Sequence, residues 1–409
     1  MHTGQDTRSG MTLSASWRAT LAASAVHLVM GANLPYLPVW MEKAAGMSGA
    51  EIAGAATIAM AIRIVAGPLT AGIAQDRGLR ATLASAMAVA CAGYALLVPD
   101  SPHAVTFLIC VLVYSALNVA GPLFEAILVY GTRDGRPDYG QGRAIVSLAF
   151  VIANLGGGAI LGAFGPDWIL AYLVITAALA TIAPLFTKQG ARQAMPARSL
   201  ASTFREGFAL YRIEGVMIFI LTAALIQATH GAYYAFASNI WIAQGIAGGH
   251  IGALWATGVA AEILLLLFSA RLLGGMTPQT LLWIGGIGAL LRWSMAGFVL
   301  PVEAVYMQQL LHAATFAVTH IATMRFLQDT LPNDKLPLSY AVNGALVFGP
   351  LMAVTSIIAG FAYDAFAPGG IEAQSRLYWI MLPVGVAGLY VVHRARPSPA
   401  LSQSVSTTP

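Results

Sequence analysis

Charge is what this sequence lacks. Asp, Glu, Lys and Arg make up 9% of its 409 residues, against about 25% in soluble domains. A soluble globule of this length cannot cover its surface with so few charges. A disordered chain would be polar and highly charged. Both classes are excluded. Cysteine is nearly absent as well: Cys91 and Cys110 both fall inside apolar runs. They read as small buried hydrophobes and imply neither a disulfide framework nor a metal site. Long hydrophilic stretches are also missing, so a soluble catalytic or receptor domain has no room. What is abundant is apolar: 58% of the residues are hydrophobic, and the 42 glycines sit largely inside apolar runs, as is common in membrane helices. The composition predicts an all-α integral membrane protein.

Each span needs about 20 mostly apolar residues. Twelve are predicted, at 17–40, 50–71, 81–99, 103–130, 141–164, 167–187, 213–238, 250–271, 279–299, 301–327, 338–362 and 375–393. The first runs on through Pro35 and Pro38 without a convincing cleavage site, so it is read as a span and not a leader. With the N-terminus taken as cytoplasmic, sixteen of the 21 basic residues fall on the cytoplasmic side, among them Arg8, Lys188, Arg192, Arg198 and Arg396. Only Lys43 and Arg376 fall in outer loops. That asymmetry supports the span count and places both termini in the cytoplasm. The longest hydrophilic connection, 188–212, follows span six. It divides the chain into a six-span half over 1–187 and another over 213–409, with the connection as a cytoplasmic loop.

The halves resemble each other. Arg63–Tyr94 overlays Glu262–Trp293 without a gap at an offset of 199. Each stretch has an in-membrane charge, an apolar half-helix, a short Gly-containing turn and a second apolar span. Arg63 and Glu262 share one repeat position with opposite sign, about 13 Å from the cytoplasmic helix ends at 1.5 Å per residue. The pattern predicts two pseudo-symmetric six-helix bundles.

After span two the chain reads Gly67-Pro68-Leu69-Thr70-Ala71-Gly72-Ile73-Ala74-Gln75-Asp76-Arg77-Gly78-Leu79-Arg80. This resembles the signature of the major facilitator superfamily between spans two and three. The resemblance implies the major facilitator fold, with Gly72, Asp76, Arg77, Gly78 and Arg80 as a cytoplasmic gating motif in which Asp76 latches neighbouring helix ends. Leu34-Pro35-Tyr36-Leu37-Pro38-Val39-Trp40 is similar to the end of span one in the lactose and phenylpropionate permeases. Gln227–Phe236 in span seven, and Leu311–Phe316 with His320 and Met324-Arg325 in span ten, resemble the phenylpropionate permeases in particular. The resemblance implies import of an aromatic carboxylate with protons.

Ionisable groups at membrane depth cost several kcal/mol unless paired or hydrated. Five stand there: Arg63, Glu125, Arg143, Glu262 and Arg292. Glu125 and Arg143 lie equally far from the turn between spans four and five and should share a height. By resemblance to the lactose permease pair, they are candidates for substrate binding, with Arg143 forking onto a carboxylate; a structural ion pair between two helices is the alternative. Glu262, Arg292 and His312 resemble that permease's proton-coupling group, His312 following Arg292 by 20 positions. Thr315 occupies the place of the family's acid. A carboxyl at membrane depth can cycle between charged and neutral forms, which makes Glu262 the expected proton carrier, with Arg63 at its repeat-related position. A fixed pairing of Glu262 with Arg63 or Arg292 is the alternative. Tyr234, His230 and Tyr36 complete the expected substrate-binding set. Tyr233, Phe236 and Trp255 are further aromatics for the cavity, packing being the alternative for each.

These readings predict a proton-coupled symporter of a small organic solute, in the inner membrane as a monomer. A small-molecule substrate and the lipid bilayer are the expected partners; nucleic acid, cofactors and metals are not expected, protons serving as the coupling ion. A sugar, oligosaccharide or nucleoside symporter is the alternative within import. An exporter fits less well, because Gly156-Gly157-Gly158 is followed by Gly165-Pro166 only at the outer end of span five. No nucleophile–base group or phosphate loop points to an enzyme.

Overall fold

The structure, a computed structural model, describes residues 13–133, 135–187, 200–213, 215–332 and 335–394. Arg8, Lys188, Arg192, Arg198 and Arg396, and the stretch 188–199 of the central connection, lie outside them. Among the described residues there is no strand. Spans one to five are the helices α1 (Ala15–Lys43), α2 (Gly49–Arg77), α3 (Leu79–Leu96), α4 (His103–Gly131) and α5 (Tyr139–Phe164). Span six is α6 (Ile169–Ile182), entered through one short 3-10 turn and left through another. The central connection contains α7 (Leu200–Leu210), which hydropathy does not predict because Arg205 and Glu206 interrupt it.

Span seven is broken. It consists of α8 (Val216–Ala228) and α9 (Gly231–Ala243), separated by Thr229 and His230. Spans eight and nine are α10 (Gly248–Leu273) and α11 (Pro278–Ala296). Span ten runs from α12 (Val302–His312) through a π-helical stretch, Ala313–Val318, into α13 (Thr319–Thr330). Span eleven does the same, from α14 (Leu336–Val342) through Asn343–Phe348 to α15 (Gly349–Phe366). A short α16 (Gly370–Ser375) leads to span twelve, whose main part is α17 (Met381–Arg394). Nine helical stretches among the described residues are long and apolar enough to cross a membrane; α1 and α11 are not among them.

Local signals set the helix starts. Ser48 and Glu51 form a reciprocal cap at α2, and Asp138 and Gln141 do the same at α5. Gly78, at φ +91°, lets α2 end and α3 begin within one residue, a conformation a side chain would strain. Large apolar side chains such as Leu108, Phe164, Phe186, Leu267 and Phe361 lie exposed on the outside, where lipid replaces water.

The halves meet at the end away from the termini. There α1 packs on α9, α2 on α15, and α5 on α10. Small residues bring the last two pairs close: Gly49 faces Gly360, and Gly158 and Gly162 face Gly248 and Gly252. The Asp364 carboxylate accepts from the N–H groups of Gly49 (2.6 Å) and Ala50 (2.9 Å), so a residue of span eleven caps the start of span two. Glu42 at the end of α1 accepts from Asn239 of α9 and from the Tyr363 hydroxyl. Toward the termini the contact is lost. Buried residues of α2 lie between Gly49 and Ala59, apart from Ala74, and those of α10 between Ile251 and Gly258, apart from Leu273. The cleft between the halves therefore opens on the termini side.

Candidate functional site

Two charged groups face this cleft from opposite halves. In the first, Arg143 lies one turn into α5. Its Nη1 donates to His27 Nε2 of α1 at 3.3 Å, and its Nε lies 3.9 Å from Glu125 Oε2 of α4. The Tyr139 hydroxyl donates to the other Glu125 oxygen at 2.5 Å. Phe124 meets the His27 ring edge to face, with centroids 4.6 Å apart. Arg143 and Glu125 keep 40% and 35% of their side-chain surface accessible, so both remain free to meet a solute. The expected pairing of Glu125 with Arg143 is present; His27 and Tyr139 are additions. His27 was hidden because its contact spans 116 residues of sequence.

The second group is buried. Arg292 of α11 has no exposed surface. Its Nη1 donates to His312 Nδ1 (3.0 Å) and Thr315 Oγ1 (3.3 Å), and its Nη2 to Gln309 Oε1 (3.1 Å). The guanidinium lies over the rings of Tyr233 and Trp293, 4.5 and 4.6 Å from their centroids. The Tyr233 hydroxyl also donates to Gln309. Beyond His312, its Nε2 lies 3.6 Å from Glu262 Oε2 of α10. The π-helical stretch after His312 turns Thr315 inward. Such bulges are common at functional sites.

The expected grouping of Glu262, Arg292 and His312 is thus assembled, with His312 between the two charges. Arg63 is not part of it: it is exposed on α2 and has no hydrogen bond or ion pair among the described residues. α2 packs on α15 while α10 packs on α5, so Arg63 and Glu262 stand at different seams between the halves. Instead, the contact of Glu262 is the His312 ring at 3.6 Å.

The aromatic candidates divide. Tyr234 is partly open and stacks on His230, its ring also parallel to Trp255. Tyr36 is fully buried at the seam, its ring against Gly157 and its hydroxyl donating to the Asn154 carbonyl. His230 is fully buried, with both ring nitrogens engaged by protein atoms. Phe236 is buried against Tyr363, and Trp255 is 3% exposed. Packing accounts for Tyr36, His230 and Phe236 in this state.

In the loop motif, Asp76 and Arg77 are exposed and make no hydrogen bond or ion pair among the described residues. The expected latch of Asp76 onto neighbouring helix ends is therefore not made among the described residues. Arg80 does make a tie within its own half, to the carbonyls of Leu185 (3.4 Å) and Thr187 (3.5 Å) at the end of span six. Gly72 has open space around it.

The family model described as MFS_1 like family matches residues 26–370. The probable 3-phenylpropionic acid transporter of Escherichia coli (strain K12) is 28% identical over 281 residues, covering 68% of this chain and 70% of that one. A mutant of the nucleoside transporter NupG superimposes with a TM-score of 0.82 at 15% identity, covering 94% of this chain and 100% of that one. A D-xylose-proton symporter gives 0.68 at 14% identity, covering 94% and 98%. These two likenesses show the fold. The helical rods, the polar groups held at membrane depth and the match over most of the sequence converge: the chain belongs to the MFS_1 like family of multi-pass major facilitator transporters and is not an enzyme.

Proposed function

We propose that this transporter imports a small aromatic carboxylate together with protons. The observation that carries the reading is the Arg143 guanidinium in one half, half-accessible and only loosely paired at 3.9 Å, with Glu262 in the other half, part-accessible and 3.6 Å from His312. Arg143 receives the carboxylate in a two-pronged grip, Glu125 and His27 orient it, and Tyr234 offers a ring face to the aromatic end. Glu262 carries the proton, with His312 and Arg292 behind it. The halves 1–187 and 213–409 rock about the bound solute, and the motif Gly72–Arg80 closes the cytoplasmic side when they meet. The relative named for 3-phenylpropionic acid supports the choice of substrate. The basic-residue asymmetry supports an inner-membrane location with both termini cytoplasmic. The protein works as a monomer and needs no cofactor.

The test is uptake of phenylpropionate, a sugar and a nucleoside into proteoliposomes, with and without an inward proton gradient. Gradient-driven accumulation of the acid alone is the expected result. Phenylpropionate uptake indifferent to the gradient would sink proton coupling, and uptake of the sugar or nucleoside instead would sink the substrate assignment.

A further inference from the structure

Arg292 is a fully buried cation with only neutral direct partners. Among the described residues no carboxylate lies within ion-pair distance of it; Glu262 is one imidazole away. A buried charge is costly unless its donors are satisfied; here both Nη atoms donate to neutral acceptors, while Nε has no partner among the described residues. A guanidinium donates and never accepts, so His312 Nδ1 and Thr315 Oγ1 must both accept from it. His312 therefore has a bare Nδ1 and carries its proton on Nε2, 3.6 Å from Glu262 Oε2. His230 is set the other way. Its Nδ1 lies 3.0 Å from the Gln227 carbonyl, which only accepts, so the proton is on Nδ1 and Nε2 is bare. The Thr315 hydroxyl lies 3.3 Å from the His312 carbonyl and 3.0 Å from that bare nitrogen; its proton is assigned to the shorter contact.

We propose that His230 and Thr315 are positioning residues for the coupling group. They form a one-way chain of hydrogen bonds from Arg292 through Thr315 and His230 to the Gln227 carbonyl, anchored at the break in span seven. The chain fixes Arg292, and Arg292 in turn holds His312 in the tautomer that presents a proton to Glu262. Neither residue touches the solute. The consequence for transport rests on Glu262 being the proton carrier; the tautomers do not.

The tautomers are read directly by nitrogen NMR of the full chain labelled with 15N-histidine in detergent, with signals assigned through His230→Gln and His312→Gln. The expected result is a neutral Nδ1–H ring at His230 and a neutral Nε2–H ring at His312. The opposite tautomer at either position, or a charged ring, overturns the proposal. A second arm uses near-isosteric changes at 315. Thr315→Val removes the hydroxyl and should cut gradient-driven accumulation at least about ten-fold while shifting both histidine signals; Thr315→Ser should stay within about two-fold of the parent. Unchanged accumulation and unchanged signals in Thr315→Val overturn the chain. Correct tautomers in a protein that moves no aromatic acid would count against the proposed function and leave the chain standing.

Discussion

Arg143 is held by two side chains from different helices, His27 and Glu125, neither at ideal geometry. A guanidinium in that position can exchange a weak protein contact for a strong one to a carboxylate. Lysine cannot make the two-pronged contact. Arg143→Lys is therefore expected to raise the apparent KM for an aromatic acid about ten-fold, a loss of about 1.4 kcal/mol. Binding unaffected by Arg143→Ala would remove the residue from recognition. Glu262 calls for a different measurement. Glu262→Gln keeps the shape and one hydrogen-bond donor but cannot lose a proton, so counterflow exchange should persist while accumulation against a gradient disappears. Full accumulation by this variant would exclude Glu262 as the carrier.

At the scale of elements, the Asp364 carboxylate on the first N–H groups of α2 joins a negative charge to a helix N-terminus across the two halves. Such a contact contributes about 1 kcal/mol, all of it to the state closed at this end. Asp364→Asn should shift the population toward opening there. A cysteine placed at Ala53, buried in this state, should then react faster with a membrane-impermeant thiol reagent added from that side; an unchanged rate would show that the cap does not hold the seal. Hydropathy located the rods, because an apolar run of 20 residues leaves little choice in a bilayer. It could not see the break at Thr229-His230, since no proline or charge marks it. Nor could it see the π-helical stretches, whose residues are as apolar as their neighbours. The spacing of Glu125 and Arg143 about one turn, and of Arg292 and His312 on antiparallel helices, was legible because short connections fix relative height. His27 and Asp364 were not, since their partners lie far away in sequence or are backbone groups.

For the whole molecule, the cleft open toward the termini predicts a labelling pattern. Cysteines at Leu69 and Ile73, exposed on α2, should react with reagent added on the termini side, and a cysteine at Tyr36 should not react from either side until the halves rock. Reversed accessibility would mean that this state is not the resting one. The seal and the buried cluster also share a strut. Thr355 of α15 donates to the Ala228 carbonyl at 2.7 Å, and Ser356 to that of Gly231 at 3.3 Å, both at the break in span seven. Asp364, on the same helix, lies nine residues on, about 13 Å along a stiff rod. Any slide of α15 that frees α2 at one end pulls on the carbonyls beside His230 at the other. One helix, α15, thus joins the closed end of the cleft to the break in span seven that carries His230.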